Sequence, residues 1–177
     1  MKTTQILIAG FGGQGILFAG KFLAYKGLVE DKQVSWLPSY GPEMRGGTAN
    51  CSIILSDTPV GSPIITNPDV LVAMNLPSLT KYMDTVVPGG KIIVDSTLIT
   101  EEVTRTDVEV FYVPASAMAK EAGFTTLANM VLMGKLIKET GAVSFEDNQA
   151  TFEKFIPAKK AALIEQNCQA LQAGYDF

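Results

Sequence analysis

Six residues, Gly10-Phe11-Gly12-Gly13-Gln14-Gly15, constrain this chain more than any other feature of it. They follow a short apolar run, Gln5 to Ala9, and precede apolar residues at helical spacing, namely Ile16, Ala19, Phe22 and Leu23. A G-x-G-x-x-G that leaves a strand and opens a helix demands an α/β fold, and it is where such folds hold phosphate. Glycines let the chain turn tightly and let backbone N–H groups approach an anion, while the helix N-terminus adds about half a positive charge. Gly10, Gly12, Gly13, Gln14 and Gly15 are therefore candidate binding residues. The competing reading is that the turn only packs the first helix close to the sheet.

The rest of the pattern agrees with that class. Short apolar runs predict strands over 5–9, 32–37, 48–56, 70–74, 91–95 and 107–113. Helical spacing covers 14–28, a stretch from about Pro77 to the Pro88-Gly89-Gly90 stop, then 114–122, 126–140, 144–155 and 157–173. Ser144 with Asp147 three residues on reads as a capping box. The expected architecture is one three-layer, Rossmann-like α/β domain over 1–177. Its sheet is mostly parallel and covered on both faces, and the helical C-terminal third packs across it or against a neighbour.

A dinucleotide site needs an acid at the end of the second strand, about 20 residues past the glycines, to hold the ribose hydroxyls. Glu30 and Asp31 lie at that distance but precede the strand, and its end carries Pro38-Ser39-Tyr40. NAD is therefore disfavoured. The loop Ser39 to Thr48 instead offers Arg45, flanked by Gly46 and Gly47; the other arginine, Arg105, lies in a polar stretch without a motif. A guanidinium there can reach a carboxylate or phosphate with two parallel hydrogen bonds. Asn75 and Asp95-Ser96-Thr97 also follow strands, and with the two loops they would ring one crevice, although each alone reads as a helix cap.

Composition removes other chemistries. The chain has no histidine, and its two cysteines, Cys51 and Cys168, are far apart. It thus lacks the commonest general base, a zinc set and the four thiolates of an iron–sulfur cluster; no catalytic residue and no metal site is expected. The net charge is -4 with no basic run, so nucleic acid has no electrostatic footprint. No apolar run approaches the ~18 residues of a membrane span and no signal peptide precedes the first strand, so a cytoplasmic location is expected. An apolar share of 47% is high for a well-solvated monomer and points to a partner.

Four stretches follow one another at the spacing of a known family: Ile8 to Ile16, Tyr40 to Ala49, Val60-Gly61-Ser62-Pro63, and Met74-Asn75-Leu76-Pro77-Ser78-Leu79. Together they resemble the gamma chains of 2-oxoacid:ferredoxin oxidoreductases, and the Arg45-Gly46-Gly47-Thr48 form looks more like the 2-oxoglutarate or branched-chain 2-oxoacid members than the pyruvate ones. The resemblance implies a part in an anaerobic oxidative decarboxylation, in which 2-oxoacid and coenzyme A give acyl-CoA and carbon dioxide with electrons passed to ferredoxin. It places thiamine diphosphate and iron–sulfur clusters on partner chains, and coenzyme A near this one. The chain would work inside a heteromeric complex, would be inactive alone, and would form a homodimer when isolated. Three alternatives stay open: the beta subunit of an indolepyruvate oxidoreductase, a free-standing NAD(P)-binding dehydrogenase domain, and a scaffold with a vestigial glycine turn.

Overall fold

Ile6, Ile8 and Ala9 of β1 (Thr3–Gly10), Leu71 to Ala73 of β4 (Val70–Ala73) and Ile92 to Val94 of β5 (Lys91–Asp95) are fully buried. Continuous apolar runs of this kind are strands with both faces covered, which is why they take the centre of a parallel sheet. The structure, a computed structural model, describes residues 2–39 and 49–177. With β2 (Gln33–Ser39), β3 (Ala49–Ser56) and β6 (Glu109–Val113), the strands form one sheet in the order β2-β3-β1-β4-β5-β6. β1, β4, β5 and β6 pair in parallel, whereas β3 is antiparallel to both β1 and β2. Only β3 is reversed, so the mostly parallel sheet expected from the sequence is present.

Helices cover the two faces unequally. One face carries α1 (Ile16–Val29), α3 (Ala115–Glu121), α4 (Ala128–Thr140), α5 (Asn148–Glu153) and α6 (Ala161–Asp176), whose apolar residues join Ile6, Ile8, Ile53 and Ile93 in one core. The other carries α2 (Leu76–Tyr82), a 3-10 turn over Met83–Thr85, and Ile99, Val103 and Val108 packed on Leu7, Leu71 and Val94. Pairing of Ser35 with Ile54, Leu37 with Ser52 and Ser39 with Asn50 explains part of the asymmetry. Side chains that are mostly short and polar give a second helix little to bury there.

The helical C-terminal region is fixed by close contacts. α4 lies on β5, α6 lies on α4, and α5 reaches α1, where Phe22 stacks on Phe152 at 4.7 Å between ring centres. Gly134 of α4 and Gly174 of α6 allow the two helices to touch: a Cβ on either would strike the other helix's backbone, at Leu171 O or Val131 O.

Three local expectations are corrected. α1 begins at Ile16 rather than Gln14, because Gly15 holds a left-handed conformation at φ 76°. The Ser144–Asp147 capping box is absent: the Ser144 amide donates to Glu30 Oε1 (2.7 Å), and α5 starts only after Asp147, itself left-handed at φ 54°. The last helix is preceded by a separate 3-10 turn, Ala158–Lys160, after Pro157. Among the described residues no helix is long and apolar enough to cross a membrane.

Candidate functional site

β1 ends at Gly10, and the ends of the parallel strands β4 and β5 lie at the same edge, where open α/β sheets bind ligands. The six-residue turn divides into two kinds of position. Gly10 and Gly15 are demanded by their surroundings: a Cβ on Gly10 would lie 2.5 Å from Gln14 Oε1 and 2.9 Å from Met74 Cβ, and one on Gly15 would collide with the Asn129 carboxamide. Gly13 differs. Its φ of 93° favours glycine, yet beyond its two chain neighbours no described residue comes within 4 Å of where its Cβ would be. Beside it opens a cleft of about 260 Å³ lined by Phe11, Gly12, Gly13, Gly15, Leu17 and Ala49, among others.

The amides of the first turn of α1 have no partner within the helix, and the N-cap, Gly15, brings no side chain to cap them. Gln14 cannot serve as that cap, because it closes the turn itself: Phe11 N donates to its Oε1 (2.6 Å), and its Nε2 donates to Met74 O (3.0 Å). Both ends of a residue expected to meet a ligand are thus engaged, one within the turn and one at the end of β4. The outcome is a polarised helix end, open glycine backbone and a cleft, which together suit an anionic group such as a phosphate.

Asn75 stands next to this turn, directly after Met74. It is the N-cap of α2, its Oδ1 accepting from Ser78 N at 2.9 Å, with 3% of the residue exposed. Asp95 at the end of β5 is fully buried and joins the strand to α3, accepting from Thr97 N (3.1 Å) and from Ser116 Oγ (2.5 Å). Arg45, Gly46 and Gly47, with the rest of 40–48, lie outside the described residues. The residues that flank them, Ser39 and Ala49, sit at this same sheet edge, Ala49 opposite Gly10.

Glu30, the acid at ribose distance in the sequence, belongs to the opposite end of the molecule. It accepts from Ser144 N and pairs with the buried Lys26 at 3.7 Å, and Lys26 also donates to Glu146 O. Burial holds the Lys26 ammonium below its ordinary pKa, with Glu30 acting in the other direction. Arg105, which lacks a motif, proves to be a structural clamp: Nη1 donates to Met83 O and Val86 O, both at 2.8 Å, and the guanidinium pairs with Asp107.

Asn129 is the residue that sequence reasoning missed. It begins α4, is 3% exposed, and donates from Nδ2 to Gly15 O at 3.0 Å. One signal for it is present in the sequence: a lone carboxamide inside the apolar Leu127 to Leu132 run, which a core tolerates only if its hydrogen bonds are made.

Acid–base or thiol chemistry finds little support. Burial pushes the Cys51 thiol up to about 12 and also raises Cys168. Among the described residues no group of three or more His, Cys, Asp or Glu could hold a metal ion.

The family model for pyruvate ferredoxin/flavodoxin oxidoreductase matches residues 5–177. The chain is 40% identical over 98% of its length to the ketoisovalerate oxidoreductase subunit VorA of Methanothermobacter thermautotrophicus, and spans 36% of that longer relative. The crystal structure of a keto/oxoacid ferredoxin oxidoreductase gamma subunit from Geobacter sulfurreducens superposes with a TM-score of 0.86 at 30% identity, covering 99% of this chain and 96% of that one. A 2-oxoglutarate:ferredoxin oxidoreductase from Magnetococcus marinus, with 2-oxoglutarate, coenzyme A and succinyl-CoA bound, matches with a TM-score of 0.87 at 25% identity, over 99% of this chain and 31% of that one. This chain belongs to the pyruvate ferredoxin/flavodoxin oxidoreductase family.

Proposed function

We propose that this chain is the gamma component of a 2-oxoacid:ferredoxin oxidoreductase, with 2-oxoglutarate or a branched-chain 2-oxoacid as substrate, and that it forms one gamma-type domain over 1–177. Its relatives include a ketoisovalerate oxidoreductase subunit and a gamma subunit nearly coextensive with it. In the complex, thiamine diphosphate and iron–sulfur clusters reside on partner chains and electrons leave to ferredoxin. This chain's part is to help hold coenzyme A, in the cytoplasm; separated from its partners it forms a homodimer.

One observation carries the binding role: the first turn of α1, whose N-cap is a glycine, lies at a cleft lined by Gly12, Gly13 and Gly15. Phosphates of coenzyme A fit there chemically, since Gly12, Gly13 and the first amides of α1 offer N–H donors and a helix end that favours negative charge. Gly10, Gln14 and Gly15 shape the turn. Asn75 orders the adjacent strand end, and Arg45 with Gly46 and Gly47 supplies the one arginine of the loop that joins β2 to β3. Bound coenzyme A contributes the thiol that accepts the acyl group; this chain supplies binding and orientation only.

The test is Gly12→Val in the assembled complex. Gly12 lines the cleft, so with a valine there the KM for coenzyme A should rise about ten- to a hundredfold, equivalent to ~1.4–2.7 kcal/mol, while the KM for the 2-oxoacid stays nearly unchanged. Thermal melting comes first. A purely architectural turn predicts lost stability or assembly and normal constants in whatever folds, and full coenzyme A affinity in a stable variant would refute the binding role.

A further inference from the structure

We propose that Asn129 is a positioning residue for anion recognition by the glycine turn, a role that rests on the coenzyme A reading above. Gly15 is the pivot of the turn: it is the last residue before α1, left-handed at φ 76°, with no side chain of its own to cap the helix. Its carbonyl oxygen accepts from Ala19 N at 3.0 Å, the first bond of α1, and from Asn129 Nδ2 at 3.0 Å. Two donors converging on one carbonyl fix the plane of the peptide between Gly15 and Ile16. That same peptide carries the Ile16 amide, the first N–H of the helix and part of the cleft wall.

Asn129 can aim this peptide because it is itself immobilised. Its Oδ1 accepts from Met130 N at 2.9 Å, and the residue is 3% exposed at the start of α4. It also abuts Gly15 so closely that a Cβ there would collide with its carboxamide. From the other side of the turn, Gln14 bonds Phe11 N and Met74 O. The turn is therefore held between two carboxamides, one anchored to the end of β4 and one to the start of α4. A donor array fixed in advance binds an anion without the entropy loss of ordering it.

Asn129→Asp tests this with little change of shape. The carboxylate keeps an acceptor for Met130 N, loses the donor to Gly15 O, and opposes that oxygen with like charge. The readout is coenzyme A affinity of the assembled complex by isothermal titration calorimetry, without 2-oxoacid, alongside thermal melting and the KM for the 2-oxoacid. The Kd for coenzyme A should rise about tenfold or more, with an unchanged 2-oxoacid KM. Asn129→Ala, which leaves a small gap without added charge, should give a smaller rise and is read in the same way if the Asp variant does not assemble. Gly12→Val is measured in parallel. If it weakens coenzyme A while both Asn129 variants bind normally, the positioning role is wrong and the turn still binds. If none of the three weakens coenzyme A, the turn is not its site and the inference falls with that reading.

Discussion

At the scale of the residue, the turn shows how one motif serves two physical demands. Gly10 and Gly15 are glycines because neighbours fill the space a side chain would need, whereas Gly13 keeps an open face beside the cleft. The sequence could not separate these roles, since the contacts that distinguish them include Met74 for Gly10 and Asn129 for Gly15, both more than 60 positions away in the chain. Cys51 marks a similar boundary between reactive and structural. It is fully buried with its thiol near Ile16 O (3.4 Å), and with a pKa of about 12 only on the order of one molecule in a hundred thousand carries a thiolate at neutral pH. We expect a disulfide-exchange reagent to leave Cys51 unmodified in the folded chain and to label it once guanidinium unfolds the protein. Peptide mapping checks this; rapid labelling of native Cys51 would show that the sulfur is far more open than its packing implies.

Among the elements, α4 packs directly on α6, where Gly134 and Gly174 allow the two backbones to meet. Gly134→Val should cost about 2–3 kcal/mol, read as a lower urea midpoint, because a branched side chain has no room to turn away from Leu171 O. A variant as stable as the parent would mean the helices separate freely. The strands and the order of helices were legible in the sequence, because buried parallel strands and amphipathic helices write their burial directly into apolar spacing. Element ends were less so. Ser144 looked like a cap until Glu30, from the end of α1, took its amide. The reversed direction of β3 was also hidden, since direction is decided by which strand a segment pairs with and not by its own residues. Of the candidate site, the glycines were visible as a local motif, while Asn129 showed only as a lone carboxamide in an apolar run, because its contact with Gly15 is long-range and leaves no periodicity.

For the molecule as a whole, one sheet edge gathers Gly10, Asn75 and Ala49, and it is there that we propose the chain binds its ligand. The apolar composition has a structural counterpart: Leu28 of α1 and Leu37 of the edge strand β2 remain 56% and 42% exposed in the single chain. The role proposed for this chain is to hold one reactant for chemistry performed on partner chains. The most direct test is reduction of a viologen dye by purified components supplied with 2-oxoglutarate or a branched-chain 2-oxoacid and coenzyme A. The account predicts no turnover by this chain alone, and 2-oxoacid- and coenzyme A-dependent turnover by the complete complex that falls sharply when this chain is omitted. Turnover by the homogeneous isolated chain, or undiminished turnover by a complex lacking it, would contradict the account.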